Sequence, residues 1–146
     1  MVFHILLLRK RMAYYNKSKS DVWLTPKSIY DKLNEEFNFD FDPCPYPQPN
    51  WDGLEIEWGK SNYVNPPYSN LKQWIKKSYE EHVKGKTVVM LIPARTDTIA
   101  FHEYIFPYAE VRFLRGRIKF EKPDGSKPFS APFPSCVVIW RKISPP

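Results

Sequence analysis

Apolar residues recur along this chain with two different periods, and the switches between them mark out the elements. Ile29, Tyr30, Leu33 and Phe37 recur at helical spacing, so they form one apolar face of a helix. Thr25-Pro26 stands just before them, which predicts a hydroxyl cap with proline at the first helical position. Phe37-Asn38-Phe39-Asp40-Phe41-Asp42 then alternates apolar and polar, the period of a strand ending at Asp42. Pro43, Pro45, Pro47 and Pro49 fall at every second position. A segment that lacks every other backbone donor is neither helix nor central strand, so an extended loop is predicted there.

Tyr63-Val64 reads as a short strand leading into Asn65-Pro66-Pro67-Tyr68. Leu71, Trp74, Ile75, Tyr79 and Val83 then predict a second amphipathic helix, capped by Ser69 or Asn70 and stopped at Gly85. Thr87 to Ile92 is an apolar run, as expected of a strand in the middle of a parallel sheet. A short helix is predicted over Asp97 to Ile105. Val111 to Leu114 and Ile118 to Phe120 read as strand, Pro123-Asp124-Gly125-Ser126 as a turn, and Cys136 to Trp140 as a last strand. Strands alternating with helices, then a strand pair, predict an α/β sheet with helices on both faces. Ligands in such sheets bind beyond the carboxyl ends of the strands. Asp42, Asn65 and Pro93 each fall just past one such end.

The 146 residues are the usual size of one compact domain, expected over 21–146 with 1–20 as an extension. Met1 to Leu8 is apolar and is followed by Arg9-Lys10-Arg11. A secretory signal has the reverse order, and no apolar run is long enough to span a membrane. The chain therefore reads as cytoplasmic, with Met12 a candidate natural start. Net charge is +6, three of it in Met1 to Arg11, a basic excess that fits a nucleic-acid partner. Cys44, Cys136 and the three histidines, His4, His82 and His102, show no ligand spacing, so no metal is predicted.

Asn65-Pro66-Pro67-Tyr68 carries the most chemistry. The lone pair of an exocyclic adenine amine is delocalised into the purine ring. Two acceptors aimed at its two hydrogens favour a pyramidal nitrogen whose lone pair is freed for attack. The Asn65 side-chain oxygen can be one acceptor and the Pro66 carbonyl the other. Each proline restricts the residue before it to extended conformations, which fixes the direction of that carbonyl: preorganised electrostatics at the reacting atom. Tyr68 offers a flat face on which an extruded purine can stack. The alternative is that the tetrapeptide is only a stiff strand-to-helix connector.

The ordered series Asp21-Val22-Trp23-Leu24-Thr25-Pro26, Phe41-Asp42-Pro43-Cys44, Trp58, Asn65-Pro66-Pro67-Tyr68, Leu91-Ile92-Pro93-Ala94 and Arg115-Gly116-Arg117-Ile118-Lys119-Phe120 resembles the phage-type DNA N-6-adenine methyltransferases. The likeness runs from about Asp21 to Trp140. It implies a Rossmann-like methyltransferase fold, S-adenosylmethionine as methyl donor, and adenine in double-stranded DNA, flipped from the helix, as acceptor, in a bacterial cell carrying a phage or prophage. It places Asp42, Pro43 and Cys44 in the donor-binding loop, where a glycine-rich turn is usual and this chain has prolines. Thr25 and Pro26 open a helix whose first amides can hold the donor carboxylate, and Asp52 is a further candidate for the donor ribose or adenine. Arg95, Arg115 and Arg117, with Arg112, are candidate phosphate contacts. Trp23 and Trp58 are assigned to the core, and Lys76, Lys77 and Lys84 to the outer face of their helix. Two rival functions use the same residues: methylation of a protein glutamine amide, and DNA binding by a relative that no longer binds the donor.

Overall fold

The structure, a computed structural model, describes residues 23–144. The extension over 1–20 and the proposed start at Met12 lie outside the described residues. Two strands form the centre: β2 (Thr87–Pro93) and β6 (Ser135–Trp140) pair antiparallel, with Val88 opposite Trp140 and Pro93 opposite Ser135. Nearly every residue of both is buried, because each strand is covered on two faces. Val88, Met90, Ile92, Cys136, Val138 and Trp140 feed one core layer, and Val89, Leu91, Val137 and Ile139 the other.

Helix α1 (Lys27–Phe37) covers the second layer, and α2 (Leu71–Val83) the first. The predicted α1 face packs there, with Leu33 buried and Ile29, Tyr30 and Phe37 against it. Strand β1 (Ser61–Val64) runs parallel to β2 at one edge, and β3 (Glu110–Phe113) antiparallel to β6 at the other. The order is β1-β2-β6-β3, a mixed sheet where a parallel one was expected. An apolar run reports burial on both faces, and that does not set strand direction. A small hairpin, β4 (Lys119–Phe120) with β5 (Phe129–Ser130), lies outside this sheet and caps the α1 side through Ile118 and Phe120.

Three local expectations change. The segment Phe37–Asp42 is not a strand. α1 keeps Phe37 and ends in Asn38 at φ 49°, whose N–H bonds to the Asn34 carbonyl. Only Phe41 pairs, in parallel with Asn62. The predicted helix over Asp97–Ile105 is present from Ile99 onward, and its last part, Phe101–Ile105, is π-helical rather than α-helical. On α2, Val83 is exposed whereas Glu81 is fully buried. Burial of that carboxylate is possible because Lys77 and Lys86 reach it at 2.9 and 2.6 Å, with Lys84 at 3.6 Å. Lys77 and Lys84 are therefore not simply solvated. Gly85 follows α2 with φ 98°, as the helix stop requires.

The register fixes where the loops emerge. The Phe41 bridge, β1 and β2 are mutually parallel, so Asp42, Asn65 and Ala94 leave one edge of the sheet together. β6 is antiparallel to β2 and starts at that edge, and β3 ends there, its successor Leu114 donating to the Ser135 carbonyl at 3.1 Å. No helix among the described residues is long and apolar enough to cross a membrane.

Candidate active site

Asn65 follows β1 directly and its side chain is anchored. Its Nδ2 donates to the Trp23 main-chain carbonyl at 2.6 Å. A carbonyl oxygen can only accept, so the amide nitrogen must face Trp23 and Oδ1 is left as an outward acceptor. Pro66 is buried, and no described residue donates to its carbonyl. The Pro67 carbonyl, by contrast, takes the Asn70 N–H at 3.3 Å and closes the turn into α2. Of the two proline carbonyls in this motif, that of Pro67 thus serves the fold, and that of Pro66 takes no bond from a described residue.

Tyr68 opens the single 3-10 turn before α2. Its ring stands nearly perpendicular to those of Trp23 and Phe133, with centroids 5.0 and 5.2 Å away. Trp23 and Phe133 stack on each other at 5.3 Å and 5°. Trp23 therefore does more than fill the core. Its carbonyl orients Asn65 and its ring braces Tyr68.

Asp42 is half-buried, and desolvation pushes its carboxyl up to about 6 against the single Cys44 N–H that stabilises the charge. That N–H reaches Oδ1 at 2.8 Å. The turn-forming role of Asp42 is real, and it leaves the second oxygen available. Cys44 is pushed up to about 12 by burial, then by the charges of Asp42 and Asp52, so its thiol stays protonated and is no nucleophile. Those two influences also show that Asp42, Cys44 and Asp52 share one neighbourhood. Asp52 itself accepts the Leu54 N–H at 2.9 Å.

The loop lacks a glycine-rich turn, yet one glycine performs the close approach. A Cβ on Gly53 would lie 1.9 Å from the Pro43 carbonyl oxygen. Gly53 thus lets the Asp52 turn seat directly on the Asp42-Pro43-Cys44 backbone.

Thr25 does not cap α1. Pro26 is the cap residue, without a side-chain cap bond, and the Thr25 hydroxyl bonds instead to Tyr63 Oη. A buried phenol requires a partner, and that need outbids the helix end. Tyr63 was read only as a strand residue. Burial drives its phenol far above the ordinary range, and Asp42 and Tyr68 both add to the effect. It therefore stands between the Asp42 side and the Tyr68 side. A polar ring on a short strand two residues before Asn65 was the only available hint.

Arg95 follows β2 on the shared edge and is exposed. Arg115 and Arg117 flank Gly116, whose φ is 73°, and both line one cavity. Arg112 is withdrawn from the phosphate contacts. It is bound to both oxygens of Glu36 at 2.7 Å and to Glu110 at 2.6 Å, at the β3 edge. No group of three His, Cys, Asp or Glu capable of holding a metal occurs among the described residues.

The sequence profile of the family described as DNA N-6-adenine-methyltransferase (Dam) matches residues 13–146. A protein of Haemophilus phage HP1 named DNA N-6-adenine-methyltransferase is 30% identical over 118 residues, covering 71% of this chain and 68% of the relative. One of the same name from Escherichia phage T1 is 28% identical over 120 residues, covering 73% of this chain and 50% of the relative. No solved structure matches significantly. With its motif residues at one sheet edge and the family profile running through nearly all of it, the chain belongs to the DNA N-6-adenine-methyltransferases.

Proposed function

We propose that this chain transfers a methyl group from S-adenosylmethionine to N6 of an adenine flipped out of double-stranded DNA, on a Rossmann-like methyltransferase scaffold. The observation that carries this reading is the Asn65 anchor: Trp23 holds the amide nitrogen, so the amide oxygen, one residue before the Pro66 carbonyl, is left to accept. These two acceptors take the two N6 hydrogens. As the nitrogen becomes pyramidal its lone pair attacks the methyl carbon, the carbon–sulfur bond breaks toward sulfur, and the surplus N6 proton leaves toward solvent. Tyr68 holds the purine by its ring. A protein glutamine amide offers a similar nitrogen, but the family match is to enzymes named for adenine in DNA.

The donor fits the residues on the other side. A partly desolvated carboxylate with one oxygen uncommitted suits hydroxyl and ammonium donors, and Asp42 is such a group. Asp52 acts on the same Cys44, and the α1 amide at Lys27, which lacks a side-chain cap, suits a carboxylate. When bound, the donor supplies a methyl group already activated by its sulfonium charge, so position matters more than a strong base.

The direct test is mass spectrometry of nucleosides from adenine-containing duplex DNA incubated with protein and donor. N6-methyladenine is expected. Its absence, with folded protein that binds donor, defeats the reading.

Asp42 also makes the donor step pH-dependent. Binding that needs the ionised carboxylate is complete well above pH 6 and falls as pH drops through about 6. Asp42→Asn should weaken donor binding by about 1.5–3 kcal/mol, the worth of a hydrogen bond to a charged group, and should flatten that pH profile. Calorimetry from pH 5 to 8 on both proteins checks it; a parallel pH dependence in the variant removes Asp42 from the donor site.

A further inference from the structure

A cavity of about 330 Å³ opens between the start of α1 and the segment after β3. Pro26, Ser28, Ile29, Leu114, Arg115, Arg117, Ile118 and Lys119 line it. Three of these are cations and none is an acid. Gly116 makes the arrangement possible. At φ 73° it turns the chain in a conformation that suits glycine, so that the two flanking arginines reach one cavity.

None of the three cations forms an ion pair or a side-chain hydrogen bond with another described residue. Several other basic residues are matched by acids: Arg112 and Arg141 by Glu36 and Glu110, Lys84 and Lys86 by Glu57 and Glu81. The cavity also receives the uncapped first turn of α1 through Ser28. It is next to the active site on two sides. Pro26 follows Thr25, which touches Tyr63, and Ile118 packs in the same core as Trp23, Tyr68 and Phe133.

From this we propose that the cavity binds a single backbone phosphate of the DNA strand carrying the target adenine. The inference rests on the DNA-methylation reading, and adds to it Lys119, Ser28 and a definite stoichiometry. The walls supply what a phosphodiester needs: guanidinium and ammonium donors for its charge, and the apolar faces of Ile29, Leu114 and Ile118 for the sugar beside it. A phosphate clamped there holds the strand while the nucleoside is turned into the site. It carries no sequence information.

The stoichiometry makes the test sharp. The salt dependence of DNA binding counts phosphates neutralised, at about 0.9 in the log–log slope for each one on duplex DNA. Three cations on one phosphate should therefore cost the slope of one contact between them. The full chain carrying Arg115→Ser, Arg117→Ser and Lys119→Ser would be titrated against a labelled duplex by fluorescence anisotropy over a salt series, without donor. The slope should fall by about 0.9, with donor affinity by calorimetry unchanged. The paired control Lys60→Ser with Lys142→Ser, at the opposite edge of the sheet, should leave the slope as it is.

An unaltered slope in the triple variant overturns the proposal. So does a fall of nearly three contacts, which would mean separate surface charges. So does lost donor affinity with unchanged DNA binding, which would give the cavity to the donor carboxylate. The slope is read without catalysis. A wild-type protein that failed to make N6-methyladenine would sink the methylation reading and leave this measurement standing on its own.

Discussion

Asn65→Ala is expected to lower single-turnover methylation by about 10²–10³, the usual cost of removing one preorganised partner at a reacting centre, with donor affinity unchanged. The asymmetry follows from geometry. Asn65 is tied to Trp23, not to the Asp42 loop, so its loss is felt where the base sits. Asn65→Asp makes a sharper variant. It would set a carboxylate oxygen against the Trp23 carbonyl at the present 2.6 Å, two acceptors face to face. Only a protonated acid could donate there, so with donor kept saturating any residual activity should rise as pH falls. Near-normal turnover in Asn65→Ala would refute the two-acceptor mechanism.

Gly53→Ala is expected to be the most destabilising single methyl addition in the site. The new Cβ would meet the Pro43 oxygen at 1.9 Å, its carbon at 2.8 Å and the Trp74 ring at 2.9 Å. Two of those atoms are backbone and the third belongs to a buried tryptophan, so none can swing away cheaply. Overpacking a filled site commonly costs about 1–3 kcal/mol and occasionally more; this position belongs at the upper end. Because Pro43 sits between Asp42 and Cys44, donor affinity should fall together with stability. Denaturant titration and donor calorimetry on the same protein check the pair. A stability change under about 0.5 kcal/mol, the range of an ordinary surface substitution, would contradict the contact.

How much of this was legible follows from how far each interaction reaches along the chain. The faces of α1 and α2 and the buried runs of β2 and β6 are periodic, so sequence alone exposed them. The Asn65-Pro66-Pro67-Tyr68 motif was legible because proline restricts its neighbours locally. The alternation in Phe37–Asp42 misled because its phenylalanines serve different cores: Phe37 and Phe39 pack on the α1 side and Phe41 on the other. The burial of Glu81 has no local signal, since nothing in the order of residues says that Lys77 and Lys86 converge on it. Thr25 pairs with Tyr63 across 38 residues, and Asn65 with Trp23 across 42. Contacts that long leave no local period, and so Tyr63 and Trp23 went unassigned to the site.

The proline-spaced loop after Asp42 bears on timing as well as on shape. Proline removes backbone freedom from the chain before any ligand arrives, and Gly53 seats the Asp52 turn directly against the start of that loop. Little is left to order when the donor enters, so little entropy is surrendered in binding it. The same stiffness denies this loop the role of a closing flap. On the proposed function, exchange of spent for fresh donor would proceed by docking and departure at this loop, and the larger rearrangement would be that of the DNA, as the adenine turns out of its stack.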